Sequence, residues 1–192
     1  MADFSRDIAL GKPLDRDEVS IGNLEETERI AKSVEGVSYT VIVACPVAPI
    51  GIPGIVTGAG HITGETLGTI VQVAVPKRGI IISATYYDLD YEGTQVDLEI
   101  FNHSITQVAD AATWTLSDID VLYFITEVNF FVLDLHIASA TSEVKNIGKA
   151  YVAPEGRLYI QAVCRATCDI ATGSSPRFQL QIQSFDPTFK EV

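Results

Sequence analysis

Basic residues are scarce in this sequence: 13 Lys and Arg stand against 25 Asp and Glu, and the formal net charge is −12 at pH 7. A nucleic-acid backbone or an anionic membrane is bound through a basic patch. We therefore expect neither nucleic acid nor a membrane as a partner. The sequence also has no apolar run of about 18 residues, which a membrane-spanning helix needs. Its start, MADFSR, is not typical of a signal peptide.

Cysteine and histidine are also few. The six residues are Cys45, Cys164, Cys168, His61, His103 and His136. An odd number of cysteines without framework spacing favours free thiols in a reducing cytoplasm, and Cys164 falls on the inward face of a predicted strand. The histidines share no short metal-binding motif, and the motif of a nucleophile elbow is missing. We expect no metal, no cofactor and no catalytic activity.

The acidic turn at residues 88–93 comes nearest to a metal-site motif. Its carboxylates at alternate positions, with Glu99 further on, match the spacing of a calcium-binding EF-hand loop. An EF-hand loop lies between helices, however, and strand patterns flank this segment. We therefore interpret it as a polar turn and expect Asp97 and Glu99 to face water. Weak calcium binding at the turn is the alternative.

What the sequence does contain is β-strand pattern, most clearly on both sides of this turn. Residues 80–87 are rich in Ile, Thr and Tyr, and apolar and polar residues alternate strictly along 95–100. Successive side chains of a strand point to opposite faces. The alternation therefore predicts one buried and one wet face, and the two segments are predicted to form one β-hairpin.

Strand patterns recur along most of the chain after residue 36. They lie at residues 39–45, 66–75, 123–137, 144–152, 157–166 and 177–185. Residues 102–120 are polar, and Ser117 and Asp120 have the spacing of a capping box for one helical turn. This pattern predicts an all-β fold, and we expect an antiparallel jelly-roll sandwich of about eight strands. An immunoglobulin-like sandwich is the alternative, although its Cys–Trp–Cys pattern is absent. The predicted core positions are Val96, Leu98, Ile100, Leu158, Ile160, Phe178, Leu180 and Ile182.

The first 36 residues differ from the rest, because charged side chains are more than twice as dense there. We predict an N-terminal arm at 1–36, followed by the β domain at 37–192. Within the arm, Asn23 can cap a short helix over residues 24–34, and Gly36 can end it. Its apolar stripe includes Leu24, Ile30 and Val34, which we expect to dock on a protein surface.

The loop at residues 46–60 has three prolines and four glycines, yet it is unusually apolar. Ile50, Ile52, Ile55 and Val56 are more apolar side chains than a solvated loop usually carries. Contiguous exposed apolar side chains often mark interfaces. We therefore predict a homo-oligomer, a trimer in particular, with these four residues at the contact.

Three segments of the chain form a recognisable series. They read GIIISATYYDLD at 79–90, LEIF at 98–101 and DAATWTLSDID at 110–120. With these segments, residues 60–185 resemble the jelly-roll head decoration, or cement, proteins of tailed bacteriophages. The resemblance does not extend to the N-terminal arm or to the loop at 46–60.

The resemblance implies a virion structural protein without catalytic residues. Such a protein is made in the host cytoplasm, binds the outer surface of the capsid and reinforces junctions between subunits of the major capsid protein. A strong net negative charge suits a soluble, abundant protein that avoids DNA. A tail or fibre component is one alternative. The other is a carbohydrate-binding jelly roll, in which Tyr86, Tyr87, Tyr91 and Tyr123 would line the site.

Overall fold

The computed structural model describes residues 43–46, 48–58, 60–90 and 94–185, which all belong to the unit Val41–Val192. The predicted N-terminal arm at 1–36, with its helix, lies outside the described residues. So do Tyr91, Glu92 and Gly93 of the acidic turn. The predictions made for these positions therefore stay predictions.

The described residues form thirteen β-strands and one short 3₁₀ helix. The strands are β1 (Val43–Pro46), β2 (Ile50–Gly51), β3 (Gly60–His61), β4 (Thr66–Ala74), β5 (Arg78–Asp88), β6 (Val96–Phe101), β7 (Phe124–Phe130), β8 (Asp134–Leu135), β9 (Ala140–Val144), β10 (Lys149–Val152), β11 (Arg157–Cys164), β12 (Cys168–Asp169) and β13 (Arg177–Ser184). The 3₁₀ helix is η1 (Asp120–Tyr123). The all-β class is confirmed for this part of the chain.

All strand pairs are antiparallel and fall into three sheets. The first sheet has the order β1-β13-β5-β9-β8, with β2 beside β13 and β10 beside β5. The second sheet has the order β4-β11-β6-β7, and β3 and β12 form a small third sheet. Neighbours in these sheets come from distant parts of the sequence, so long connections join the strands.

One large hydrophobic core takes side chains from both larger sheets. All eight predicted core side chains belong to it and are at most 1% exposed. The prediction of the inward-facing positions is therefore confirmed. Burying such a side chain contributes about 1.5–3 kcal/mol relative to leaving it in water, so these strands carry much of the stabilisation.

The predicted β-hairpin at residues 80–100 is wrong, although both of its strands exist. β5 lies in the first sheet and pairs with β13, β9 and β10, whereas β6 lies in the second sheet and pairs with β11 and β7. The acidic turn thus carries the chain from one sheet to the other. Alternation within a strand identifies its buried face but not its neighbour, which is why the two strands seemed to be partners.

The segment at residues 102–119 contains no strand, as predicted. Near its end, Ser117 and Asp120 are joined by hydrogen bonds, as their capping-box spacing indicated. The Asp120 backbone N–H donates to Ser117 Oγ at 3.1 Å, and the Ser117 hydroxyl donates to Asp120 Oδ2 at 2.8 Å. The helical turn that follows is η1. The predicted strand region at 123–137 is divided into β7 and β8, with a break at residues 131–133.

Candidate interface at the β7 edge

The four apolar residues of the loop at 46–60 mostly face the protein's own core. Ile52 is 2% exposed and is a core residue, and Ile50 and Ile55 pack against that core. Only Val56 is well exposed, at 59%. The chain itself therefore accounts for most of the apolar character that motivated a trimer contact here. The arm residues Leu24, Ile30 and Val34 lie outside the described residues.

The acidic turn carries buried carboxylates that bind backbone groups. Asp88 is fully buried and accepts hydrogen bonds from the backbone N–H groups of Thr94, at 3.1 Å, and Asp90, at 3.3 Å. Asp90 Oδ2 accepts one from the Ala171 N–H at 3.0 Å. These carboxylates hold the turn against the loop that follows β12. Among the described residues, no group of three or more His, Cys, Asp or Glu side chains is arranged to hold a metal ion.

Asp97 and Glu99 do not face water, and this prediction is wrong. Both lie on the face of the second sheet opposite the large core, yet Asp97 is only 1% and Glu99 only 8% exposed. The segment at 102–119 covers much of this outer face, where Phe101, Ile105 and Tyr159 form a second, smaller apolar cluster. The polar face of β6 is therefore buried by the rest of the protein.

Asp97 is compensated by charge and hydrogen bonding on this outer face. Arg165 Nε donates to Asp97 Oδ2, and Arg165 also donates to Glu127 Oε1 at 3.1 Å. Asn129 Nδ2 donates to Asp97 Oδ1 at 2.8 Å and to Glu127 Oε1 at 2.9 Å. The hydrogen bond with Asp97 and partial burial raise the pKa of Glu127, against the opposing effect of Arg165. The four side chains form one network that ties β7 to β6 and β11.

Glu99 is compensated far less well. Its Oε2 atom is buried without a hydrogen-bond partner, and the Trp114 indole N–H faces the carboxylate without a hydrogen bond of good geometry. Gln161, directly opposite Glu99 on β11, is fully buried and its Oε1 atom also has no partner. Burial raises the pKa of Glu99. Glu99 therefore costs stability when it is ionised.

His61 and Asp110 form a buried clamp that joins the loop after β2, the strands β3 and β4, and the segment at 102–119. His61 Nε2 donates to Asp110 Oδ1 at 2.9 Å, and the carboxylate also accepts from the Gly68 N–H at 2.6 Å and the Val56 N–H at 2.7 Å. Burial alone would raise the pKa of Asp110, but these hydrogen bonds outweigh burial and hold it below its usual range. The clamp is structural, since all three donors lie within the fold.

The other predicted chemistry-bearing residues lie apart. His103 contacts Glu155 at 3.3 Å, and His136 contacts Thr141 at 3.3 Å. Cys164 is fully buried, as predicted for a small core residue, and its Sγ atom lies 3.8 Å from Cys168 Sγ. The side chain of Cys45 lies outside the described residues.

Of the four tyrosines that a carbohydrate site would need, Tyr91 lies outside the described residues, and the other three are not on one surface. Tyr86 is fully buried against Phe130 in the core, and burial raises the pKa of its phenol. Tyr87 donates to Gln179 on the neighbouring strand at 2.9 Å. Tyr123 stacks beside His103 on the segment that leads into β7.

Exposed large apolar side chains of the described residues are concentrated at the two ends of β7. The first group lies on η1 and the start of β7, and the second on β8 and its flanks. The members are Ile119, Val121, Leu122 and Phe124 in the first group, and Phe131, Val132, Leu135 and Ile137 in the second. Leu122 is 78%, Val132 79% and Ile137 102% exposed. We name these eight residues and the β7 strand between them the β7 edge surface.

Sequence reasoning missed this surface because residues 123–137 were assigned to strands and the residues before them to a polar segment with one helical turn. The segments IDVLYF at 119–124 and FVLDLHI at 131–137 have consecutive apolar residues where a half-buried strand would alternate. That departure from a period of two was the available signal.

The two edges of the second sheet are treated differently. Three alternate backbone N–H groups of β4, those of Thr66, Gly68 and Ile70, donate to the segment at 102–119. Their acceptors are Ala112 O at 2.9 Å, Asp110 Oδ1 at 2.6 Å and Gln107 Oε1 at 3.1 Å. β7, at the opposite edge, pairs only with β6, and within the described chain no loop caps the backbone of residues 125–130. One edge is closed and the other is open.

The surroundings of the β7 edge surface are acidic. Residues 79–144 contain no Lys or Arg but 11 Asp and Glu. Glu127 lies at the middle of β7, and Asp118 and Asp134 are exposed beside the two apolar groups. Two basic groups that follow this stretch in sequence are already engaged, since Arg165 binds Asp97 and Glu127, and Lys145 contacts Glu143 at 3.0 Å.

Comparison with known proteins adds no relative. No protein-family model, curated protein or solved structure matches the chain. In the described part of the chain, none of the helical structure has the length and apolar character that crossing a membrane requires.

Proposed function

We propose that this chain is a phage virion structural protein, of the decoration or cement type, that binds the outer surface of the capsid and strengthens junctions between its subunits. The observation that carries this proposal is the β7 edge surface, where eight large apolar side chains are exposed in two groups, one at each end of β7. Exposed apolar patches of this kind mark protein-binding sites. The resemblance of residues 60–185 to phage decoration proteins supports the choice of a virion as the assembly.

The proposed mechanism is interfacial. A β body with one continuous core is stiff, because close-packed interiors deform little. A stiff body that contacts two neighbouring capsid subunits stabilises their junction, since separating them then also breaks its own contacts. Within this proposal the body has jelly-roll connectivity, the chain is a homo-oligomer, and Val56 and the N-terminal arm remain candidates for the contact between its copies.

The test is to find the protein in particles. Particles are purified on a density gradient from the source culture, and the chain is sought by mass spectrometry and by antibody labelling in electron micrographs. Label on heads supports the proposal, and label confined to tails or fibres favours that alternative. Particles that lack the chain would overturn the proposal. Shells from a strain with the gene deleted should melt at lower temperature and regain stability when purified protein is added.

A further inference from the structure

We propose that β7 accepts an additional strand from the partner protein: an extended segment that carries apolar side chains together with Lys or Arg. This inference depends on the proposed function only for the identity of the partner as a capsid subunit. It specifies which surface binds, by which groups, and what chemistry the partner must have.

The two edges of the second sheet differ in what covers their backbone N–H and C=O groups. An exposed edge strand has free N–H and C=O groups that another strand can pair with, and proteins usually block this with Lys, Pro, short length or a covering loop. β4 has such a cover, since three of its N–H groups donate to the segment at 102–119. β7 is seven residues long, FITEVNF, without Lys or Pro. Within the part of the chain that the structure describes, the only hydrogen bond to the backbone of residues 125–130 beyond the ladder with β6 comes from the Thr126 hydroxyl, 3.5 Å from the Glu127 carbonyl.

Apolar side chains are exposed at both ends of the β7 edge. Strand addition obtains affinity from main-chain hydrogen bonds and specificity from side-chain contacts. Leu122 and Phe124 at one end, and Val132 and Leu135 at the other, would flank an added strand and shield its hydrogen bonds from water. An edge strand with one charge and apolar flanks is also an aggregation hazard unless it is covered. A partner in the assembled particle removes that hazard.

The negative charge around β7 indicates which kind of partner segment would bind. Glu127 lies at the middle of β7, with Asp118 and Asp134 beside the two apolar groups, and no Lys or Arg occurs in residues 79–144. Arg165 is already bound to Asp97 and Glu127. A second copy of the chain would bring these same acids together, and like charges directly opposite each other on paired strands are destabilising. A segment with Lys or Arg opposite Glu127 would be attracted.

The first experiment measures binding to shells that lack the protein. The full chain is compared with the triple variant Leu122→Ser/Val132→Ser/Ile137→Ser by co-sedimentation, in low and high salt. All three side chains are more than three-quarters exposed, so the variant should fold as the wild type does. We expect at least a tenfold loss of affinity in the variant, and weaker wild-type binding in high salt. The control is Ile62→Ser, at an exposed apolar residue outside the β7 edge surface and outside the predicted contact between copies, which should bind as the wild type does.

The outcomes separate this inference from the proposed function. If the wild type binds shells and the triple variant binds equally well, the β7 edge is not the contact, although the chain still belongs on the capsid. If the wild type does not bind shells, the proposed function fails. The inference about β7 is then decided by a peptide experiment that requires no capsid.

In that experiment the full chain is mixed with a nine-residue peptide of alternating Val and Lys, with its Val and Glu counterpart, and with a Val and Lys version that has a central Pro. We expect only the Val and Lys peptide without Pro to bind. This peptide should not bind the triple variant, and on the wild-type chain it should protect the amides of residues 125–130 from hydrogen exchange. Equal binding of all three peptides, or no protection of β7, would overturn the inference. Light scattering provides the last check, because an oligomer that the triple variant dissociates would show that a second copy covers β7.

Discussion

At the scale of single residues, Asp110 and Glu99 show how differently the same fold treats two buried carboxylates. Asp110 accepts three hydrogen bonds, from Val56, His61 and Gly68. Glu99 has an oxygen without a partner and faces a glutamine oxygen that also has none. Burial disfavours the charged form of both, but only Asp110 has the donors that reverse this effect. The two residues should therefore have opposite effects on stability as the pH changes.

Asp110→Asn should destabilise the protein at pH 7 by roughly 2 kcal/mol, because charged hydrogen bonds are worth about 1.5–3 kcal/mol each and the amide fits fewer of these donors. A lowered pKa in the folded state means that the carboxylate stabilises the fold above its unfolded pKa of about 3.9 and ceases to do so as the pH falls through the folded value. The difference between wild type and variant should therefore shrink in acid. Urea unfolding from pH 7 to pH 3 measures this. Asp118→Asn, at an exposed position, is the control, and an unchanged difference at pH 3 would count against the clamp.

Glu99→Gln should stabilise the protein at pH 7. The pKa of Glu99 is raised, so its ionised form costs stability above the folded pKa, and this cost disappears as the pH falls towards the unfolded value of about 4.3. The advantage of the variant should therefore be largest at neutral pH and vanish in mild acid. Thermal melting at pH 7 and pH 4.5 tests this. Asp97→Asn, which weakens the contact with Arg165, should lower the melting temperature instead, and a destabilised Glu99→Gln would show that the Trp114 N–H compensates the charge.

Leu180→Ala should lower the free energy of unfolding by about 2–5 kcal/mol, the usual cost of truncating a buried leucine. Leu180 is fully buried on β13, in the core shared by both larger sheets. Chemical denaturation measures the change. Arg177 on the same strand is exposed, and Arg177→Ala should change stability by no more than about 0.5 kcal/mol. Equal effects of the two substitutions would mean that the facing of β13 is wrong.

At the scale of elements, strands and their inward faces were predictable from the sequence, but their neighbours were not. The alternation in β13 identified Phe178, Leu180 and Ile182 as core because that strand has one face on the core and one nearer to solvent. The same rule failed for β6, whose six residues are all buried. Its outer face is covered by a segment that follows it in sequence, and Arg165, the partner of Asp97, comes 68 residues later. A local pattern contains no information about such distant cover.

A bulge in β4 allows the loop after β2 to pack closely against the second sheet. The register of β4 against β11 shifts between Ile160 and Ala162, and opposite the shift Gly68 has a φ of +70°. A Cβ atom there would lie 2.4 Å from the Pro53 carbonyl oxygen. The backbone of the loop after β2 thus approaches β4 closely only because residue 68 has no side chain.

Gly68→Ala should therefore destabilise the protein by more than the strain of a positive φ alone would, because the new Cβ would also clash with the Pro53 carbonyl oxygen. Gly58 is the matched control, because its φ is +74° but an added Cβ would meet nothing within 4 Å. We expect Gly58→Ala to cost about 1–2 kcal/mol, the left-handed penalty of an ordinary residue, and Gly68→Ala clearly more. Denaturant unfolding of both variants gives the comparison. Similar losses would indicate that the loop moves aside at little cost.

At the scale of the whole molecule, the oligomeric state is still a prediction. A trimer would have three times the 20.8 kDa mass of the chain, and light scattering at micromolar concentration measures this directly. Removal of residues 1–36 should leave the β-sheet circular dichroism and most of the melting temperature unchanged, because we predict the arm to be separate from the β core. If the arm anchors the protein, the truncated chain should lose its oligomeric state or its binding to shells. An unfolded truncated chain would place the arm in the core, and an unaltered one would make it only a tail.

The central place of β13 in the first sheet has a consequence for biosynthesis. β13 separates β1 from β5, although more than 130 residues separate it from β1 along the chain. While the ribosome is still making residues 177–184, both neighbours have been synthesised and neither can yet pair with β13. The nascent chain therefore cannot complete this sheet during most of its synthesis, and non-local pairing of this kind is slow and exposed to aggregation. Chains truncated before this strand should therefore be insoluble.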